Sequence, residues 1–124
     1  MPDPARTLFA SAIGDAEQTA LLLDGAGKLL AGSYIDSEGR DISPEIGAAL
    51  SGVSTEVSRS MRLLSLGAWT AVVVETDEAI IALAPAVDNA VVLLASSASV
   101  PLGLVRRVLM RSVGLATTWM GTRE

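Results

Sequence analysis

Ala68-Trp69-Thr70-Ala71-Val72-Val73-Val74-Glu75-Thr76 opens a block in which three apolar, β-rich runs follow one another. It contains neither glycine nor proline, and its aromatic and β-branched side chains suit a pleated surface. Two further runs, 78–84 and 90–96, come after it, separated by Asp77 with Glu78 and by Asp88-Asn89. Such short acidic connections predict an antiparallel meander. Pro85 has no amide hydrogen to give to a ladder, so the second run is expected to end or bulge there. The segment 69–74 is apolar on both alternating faces, which implies cover on both sides of the sheet. A long apolar edge strand without lysine or proline also invites pairing with another chain, and 68–76 is a candidate for that edge.

Upstream, Ser43-Pro44-Glu45 combines a capping residue, a first-turn proline and an acid near the positive end of a helix dipole. Ile42, Ile46, Ala49, Leu50, Val53, Val57, Met61 and Leu64 recur three and four apart, predicting one helix over about 44–64 with a stripe to bury. Beside that stripe, Gly47, Ser51, Ser54 and Ser58 form a row of small residues on which a second backbone could approach closely. Downstream, a helix is expected from about Pro101, with Leu102, Val105, Leu109, Ala116 and Met120 on one face. Leu104, Val108, Leu115 and Trp119 lie beside them, and Arg106, Arg107 and Arg111 make a polar edge. Toward the amino terminus, 19–24 and 28–34 flank Gly25-Ala26-Gly27 as a hairpin, and Asp3-Pro4 starts a short helix ending near Ala12 or Ile13. The order is α-β-β-α-β-β-β-α. It predicts an α+β fold: a single five-stranded antiparallel sheet with three helices, one domain over 1–124.

Composition narrows the function. The 124 residues include no cysteine and no histidine, which removes thiol nucleophiles, disulfides, imidazole bases and the usual zinc ligands. A net charge of −5 with four aromatic side chains offers no broad surface for neutralising phosphates, so nucleic acid is not an expected partner. Half of the residues are hydrophobic, yet serines and Pro101 interrupt the longest uncharged run, so no membrane insertion is expected. The first residues lack a basic stretch leading into an apolar one, and a cytoplasmic location is the expectation.

Gly25-Ala26-Gly27-Lys28 has the look of a phosphate loop, but that motif needs glycine at 22 and Ser or Thr at 29, where this chain has Leu22 and Leu29. Asp36, Glu38 and Asp41 share one loop without the ligand spacing of a calcium-binding hand. The serines have no histidine to activate them and sit in no Ser-x-x-Lys or Gly-x-Ser-x-Gly setting. No catalytic residue, metal or cofactor is assigned.

Element order and local text together resemble the Roadblock family, the group of dynein light chains and bacterial GTPase-associated proteins. The carrying pieces are Ala20-Leu21-Leu22-Leu23-Asp24 with the turn through Gly27, Leu29-Leu30-Ala31-Gly32-Ser33, Ile46-Gly47-Ala48-Ala49-Leu50-Ser51-Gly52, Val72-Val73-Val74-Glu75, and Val100-Pro101-Leu102-Gly103-Leu104-Val105-Arg106. The resemblance implies a profilin- or longin-like outline with the middle helix on one sheet face and the terminal helices on the other. It also implies a homodimer made by joining third strands while middle helices pack side by side. On this sequence that interface would use Gly47, Ser51, Ser54, Ser58 and Met61 from the helix, with Trp69, Ala71, Val73 and Glu75 from the strand. The implied role is a non-catalytic scaffold or regulator that binds a small Ras-like GTPase or a larger complex, with Arg59 and Arg62 as candidate partner contacts. Glu56 and Arg59 are also spaced as an ordinary surface ion pair. Two other readings remain open: an adaptor subunit paired with another Roadblock-like chain, and a small-ligand sensor.

Overall fold

A computed structural model describes residues 5, 7–10 and 18–122. Five strands form one antiparallel sheet: β1 (Gln18–Leu23), β2 (Leu29–Gly32), β3 (Val72–Glu75), β4 (Ala79–Pro85) and β5 (Val91–Ser97), in the order β2-β1-β5-β4-β3. The meander is present as β3-β4-β5, and β5 then pairs with β1, Gln18 facing Ser96 and Leu23 facing Val91. The expected α+β architecture is therefore the observed one. Pro85 is the last residue of β4, as its missing amide hydrogen requires.

The β1–β2 turn is built by Asp24. Its Oδ1 accepts the Ala26 and Lys28 amides, both at 2.9 Å, and its own amide donates to the Lys28 carbonyl. The Gly25-to-Lys28 run is thus a hairpin turn. Asp36 repeats the device, accepting the amides of Glu38 and Arg40. Asp41 Oδ1 accepts the Ser43 amide at 3.0 Å and hydroxyl at 2.6 Å. Two of the three loop carboxylates are therefore turn-makers.

The middle helix differs from its expectation. It is two helices, α1 (Ser43–Ala49) and α2 (Val53–Leu63), parted by a turn in which Gly52 takes φ 83°. Ser43 is not the cap but the first helical residue, fully buried, with Asp41 supplying the acceptor. Gly47 explains why α1 is set separately: a Cβ there would lie 2.0 Å from the Gly27 carbonyl oxygen, so α1 rests backbone to backbone on the β1–β2 turn.

A third helix, α3 (Leu102–Gly121), covers the other sheet face. Period two along the strands divides the core accordingly. Ala20, Leu22, Ala82, Val92 and Leu94 pack with Val105, Val108, Leu109 and Ala116 of α3, and Phe9 joins them. Leu21, Leu83, Val91, Leu93 and Ala95 face Ile46, Leu50, Val53, Val57 and Met61 of α1 and α2. Each fully buried leucine, such as Leu22 or Leu94, contributes about 1.5–3 kcal/mol. The helix expected near the amino terminus falls mostly outside the described residues. Of its described part, Ala5, Leu8 and Phe9 pack into the α3-side core, and Ala5 accepts the Gly32 amide at the β2 edge.

Three expectations are corrected. Burial on both faces belongs to the central strands β5 and β1, whereas β3 is short and Val74 is 49% exposed. Leu64 leaves the buried stripe, because the turn at Gly52 resets the helical phase and the helix has ended before it. Leu102 and Leu104 are exposed rather than part of the buried surface of α3.

Candidate interaction surface at the third strand

The β3 edge is the centre of the candidate site. One side of Val72–Glu75 pairs with β4, Val72 opposite Leu83 and Glu75 opposite Ile80, and the other side has no strand partner among the described residues. Val72 faces the α1–α2 core and Val73 the α3 core, leaving Val74 and Glu75 exposed. At the opposite edge, Gly32 of β2 donates its amide to the Ala5 carbonyl, so the two edges are not equivalent.

Next to β3, α2 ends in a leucine-rich tip. Leu66 donates its amide to the Met61 carbonyl and Ser65 donates to Arg62, with Ser65 at φ 55°. This is the paired hydrogen-bond pattern that closes a helix around a left-handed residue. Serine there carries a steric penalty that glycine would avoid. The closure holds Leu63, Leu64 and Leu66 outward at 76%, 62% and 66% exposure.

The chain then folds back through Trp69, which is buried and donates its indole N–H to Ser58 Oγ at 3.1 Å. Ser58, Arg62, Gly67, Ala68, Trp69 and Pro85 line an open groove of about 470 Å³. A second, more apolar groove of about 340 Å³ lies between α1 and the sheet, with Tyr34, Ile42, Ile46 and Ile81 in its walls.

The residues singled out in the sequence divide between interior and surface. Gly47 and Ser54 are buried within the chain, Ser58 is tied to Trp69, and Ser51 alone of that row is exposed. Met61 packs on the Leu21 cluster, Trp69 is internal, and Ala71 and Val73 pack toward α3, while Glu75 is exposed. Arg59 is exposed and lies 3.8 Å from Glu56, and Arg62 is exposed on the rim of the Trp69 groove. The leucine tip was missed by sequence reasoning. Its signal is Leu63-Leu64-Ser65-Leu66, since Leu63 and Leu64 are adjacent and point about 100° apart on a helix, so a narrow buried stripe leaves at least one of the leucines outside.

No family model and no curated protein sequence matches the chain. Among solved structures it is similar to Myxococcus xanthus MglB, at 15% identity and a TM-score of 0.77 over 95% of each chain. It is also similar to a Roadblock/LC7 domain from Streptomyces avermitilis, at 16% identity and a TM-score of 0.76 over 93% of this chain and 96% of that one. A third, described as MglB with a tetrameric arrangement, aligns at 16% identity and a TM-score of 0.76 over 95% and 90%. The chain has the fold shared by these Roadblock/LC7 and MglB structures.

Proposed function

We propose that this chain is a non-catalytic regulator or scaffold that pairs with a second copy of itself across the β3 edge and, as a dimer, binds a small Ras-like GTPase. The observation that carries the pairing is the open edge of β3 beside an outward-facing leucine tip, with Val74, Leu63, Leu64 and Leu66 all about half exposed or more. An unpaired strand edge offers a row of backbone donors and acceptors, and apolar side chains beside it supply area to bury. Covering the three leucines would contribute about 1–2 kcal/mol each. Association costs on the order of 4–15 kcal/mol in lost freedom, so the leucines alone do not suffice. Strand pairing and the burial of Val74 must add to them.

The GTPase reading rests on the resemblance to Roadblock domains, whose implied role is a platform for such enzymes. Arg62 on the rim of the Trp69 groove and Arg59 on α2 are exposed cationic side chains that could meet a charged partner. The non-catalytic reading draws on the lack of histidine and cysteine and on the engagement of Asp24, Asp36 and Asp41 in turns.

Light scattering after size exclusion tests the pairing on the wild type and on Val74→Lys, a position exposed enough to take a charge without entering either core. A wild-type dimer that the variant converts to a folded monomer is expected. A wild-type monomer at micromolar concentration would overturn self-pairing and turn the search to a different Roadblock-like partner chain. Titration of candidate GTPases in both nucleotide states then tests the second half, which fails if neither state binds.

A further inference from the structure

The helix α3 carries a surface that the proposed function leaves unused. Gly103, Arg107, Met110, Gly114, Thr117 and Gly121 recur at intervals of four and three residues, and all six are exposed. Residues at this 3.5-residue spacing line one face of the helix as a seam. At about 1.5 Å per residue it runs for about 27 Å. Its residues are small except for Met110 and Arg107, so a partner backbone could approach closely along most of its length.

Gly114 gives the seam its point. It sits in the middle of a 20-residue helix, where glycine is a poor helix former, and among the described residues nothing lies within 4 Å of the position a Cβ would occupy. Packing within the chain therefore gives no reason for glycine there, in contrast with Gly47, whose hydrogen is all that fits against Gly27.

Charge indicates what would lie on the seam. From Leu102 to Gly121 the chain has three arginines and no acid, while the protein as a whole has 14 acids and a net charge of −5. Arg106 flanks the seam on one side and Arg111 on the other, with Arg107 in it, and all three are exposed. Among the described residues none of the three lies in an ion pair. Leu104 and Met110 add exposed apolar surface to the same face.

We propose that the exposed face of α3 is a docking site for an acidic amphipathic helix of another protein, seated on the Gly114 seam with its carboxylates toward Arg106, Arg107 and Arg111. A second copy of α3 would bring three arginines against three arginines. An anionic bilayer is the weaker match, since membrane-binding clusters hold about four to eight basic residues and this chain is acidic overall. The surface lies on the sheet face opposite α1 and α2, so the proposal stands independently of pairing through β3.

The test uses the full chain and three probes: a three-heptad synthetic peptide with leucine and alanine on its seam and glutamate beside it, a lysine-for-glutamate counterpart, and phosphatidylglycerol-containing vesicles. Fluorescence anisotropy should show binding of the acidic peptide and not of the basic one, with new hydrogen-exchange protection in residues 103–121. Reversing Arg107→Glu and Arg111→Glu together should weaken binding by about tenfold or more at low salt. Gly114→Ala should raise Tm by about 2–5 °C through helix propensity alone. Gly114→Leu should stay folded and lose the peptide, because its side chain fills the seam. The proposal is overturned if the acidic peptide does not bind at near-millimolar concentration, if Gly114→Leu or the double reversal leaves binding unchanged, or if vesicles bind through these arginines while the peptide does not.

Discussion

Gly47→Ala separates two roles for one residue. A new Cβ would stand 2.0 Å from the Gly27 carbonyl oxygen and 3.2 Å from its carbon, both backbone atoms that cannot rotate away. The second half of α1 and the β1–β2 turn must separate by at least about 1 Å, thinning the contacts of Ile46 and Leu50 on the sheet. Overfilling a packed site costs about 1–3 kcal/mol. Better helix propensity returns about 0.5–1 kcal/mol. Because the overlap is with backbone that cannot rotate away, the cost falls at the upper end of that range and the net loss is about 2 kcal/mol, a fall of about 6–10 °C in Tm for a chain of this length. The assay is thermal unfolding by circular dichroism in the Val74→Lys background, with light scattering on the same samples. A Tm that is unchanged or raised would refute the seating of α1 on Gly27. A weaker dimer in the Val74 parent at unchanged Tm would instead return Gly47 to an interface between chains.

Asp41→Ala should lower stability by about 1–3 kcal/mol in denaturant melts, because it strips the acceptor from the Ser43 amide and from a hydroxyl with no exposure to water. Asp41→Asn, which keeps one acceptor oxygen, should recover part of that loss. Leu64→Asp acts on a side chain that is 62% exposed and should change folding stability by no more than about 0.5 kcal/mol. The same substitution should weaken self-association measured by analytical ultracentrifugation, and an unchanged dimer would remove the leucine tip from the interface.

The strands and their connections are legible in the sequence because local chemistry sets them. Val72 to Val74 and the acidic turn after them place β3, and Pro85 ends β4. The division of the middle helix was less legible. Gly52 stands in the open, but a glycine within an otherwise continuous apolar stripe is compatible with one helix, and only the contact of Gly47 with Gly27 shows why α1 is held apart. That contact joins residues twenty positions apart in the chain and leaves no periodic trace. The same holds for Ser58 and Trp69, whose hydrogen bond engages within the chain a serine expected to face another backbone. The row of small residues was real as spacing, yet spacing alone does not say whether the backbone that approaches is the chain's own.

The two sheet faces differ in a way that bears on where partners add stability. On the α3 side, Leu22, Leu94, Val105 and Leu109 have no exposure, and that core is closed by the chain itself. On the other side, Ile46, Leu50, Val53, Val57 and Met61 are only partly buried over a smaller cluster. A partner on that side can add apolar burial to residues already half removed from water, strengthening the packing of α1 and α2 as it binds. A partner on α3 meets a helix already anchored by its inner face, and gains chiefly from the outer seam and its arginines. Binding at β3 is therefore the event expected to couple to the order of α1 and α2, whereas binding at α3 adds to the assembly with little change in the core.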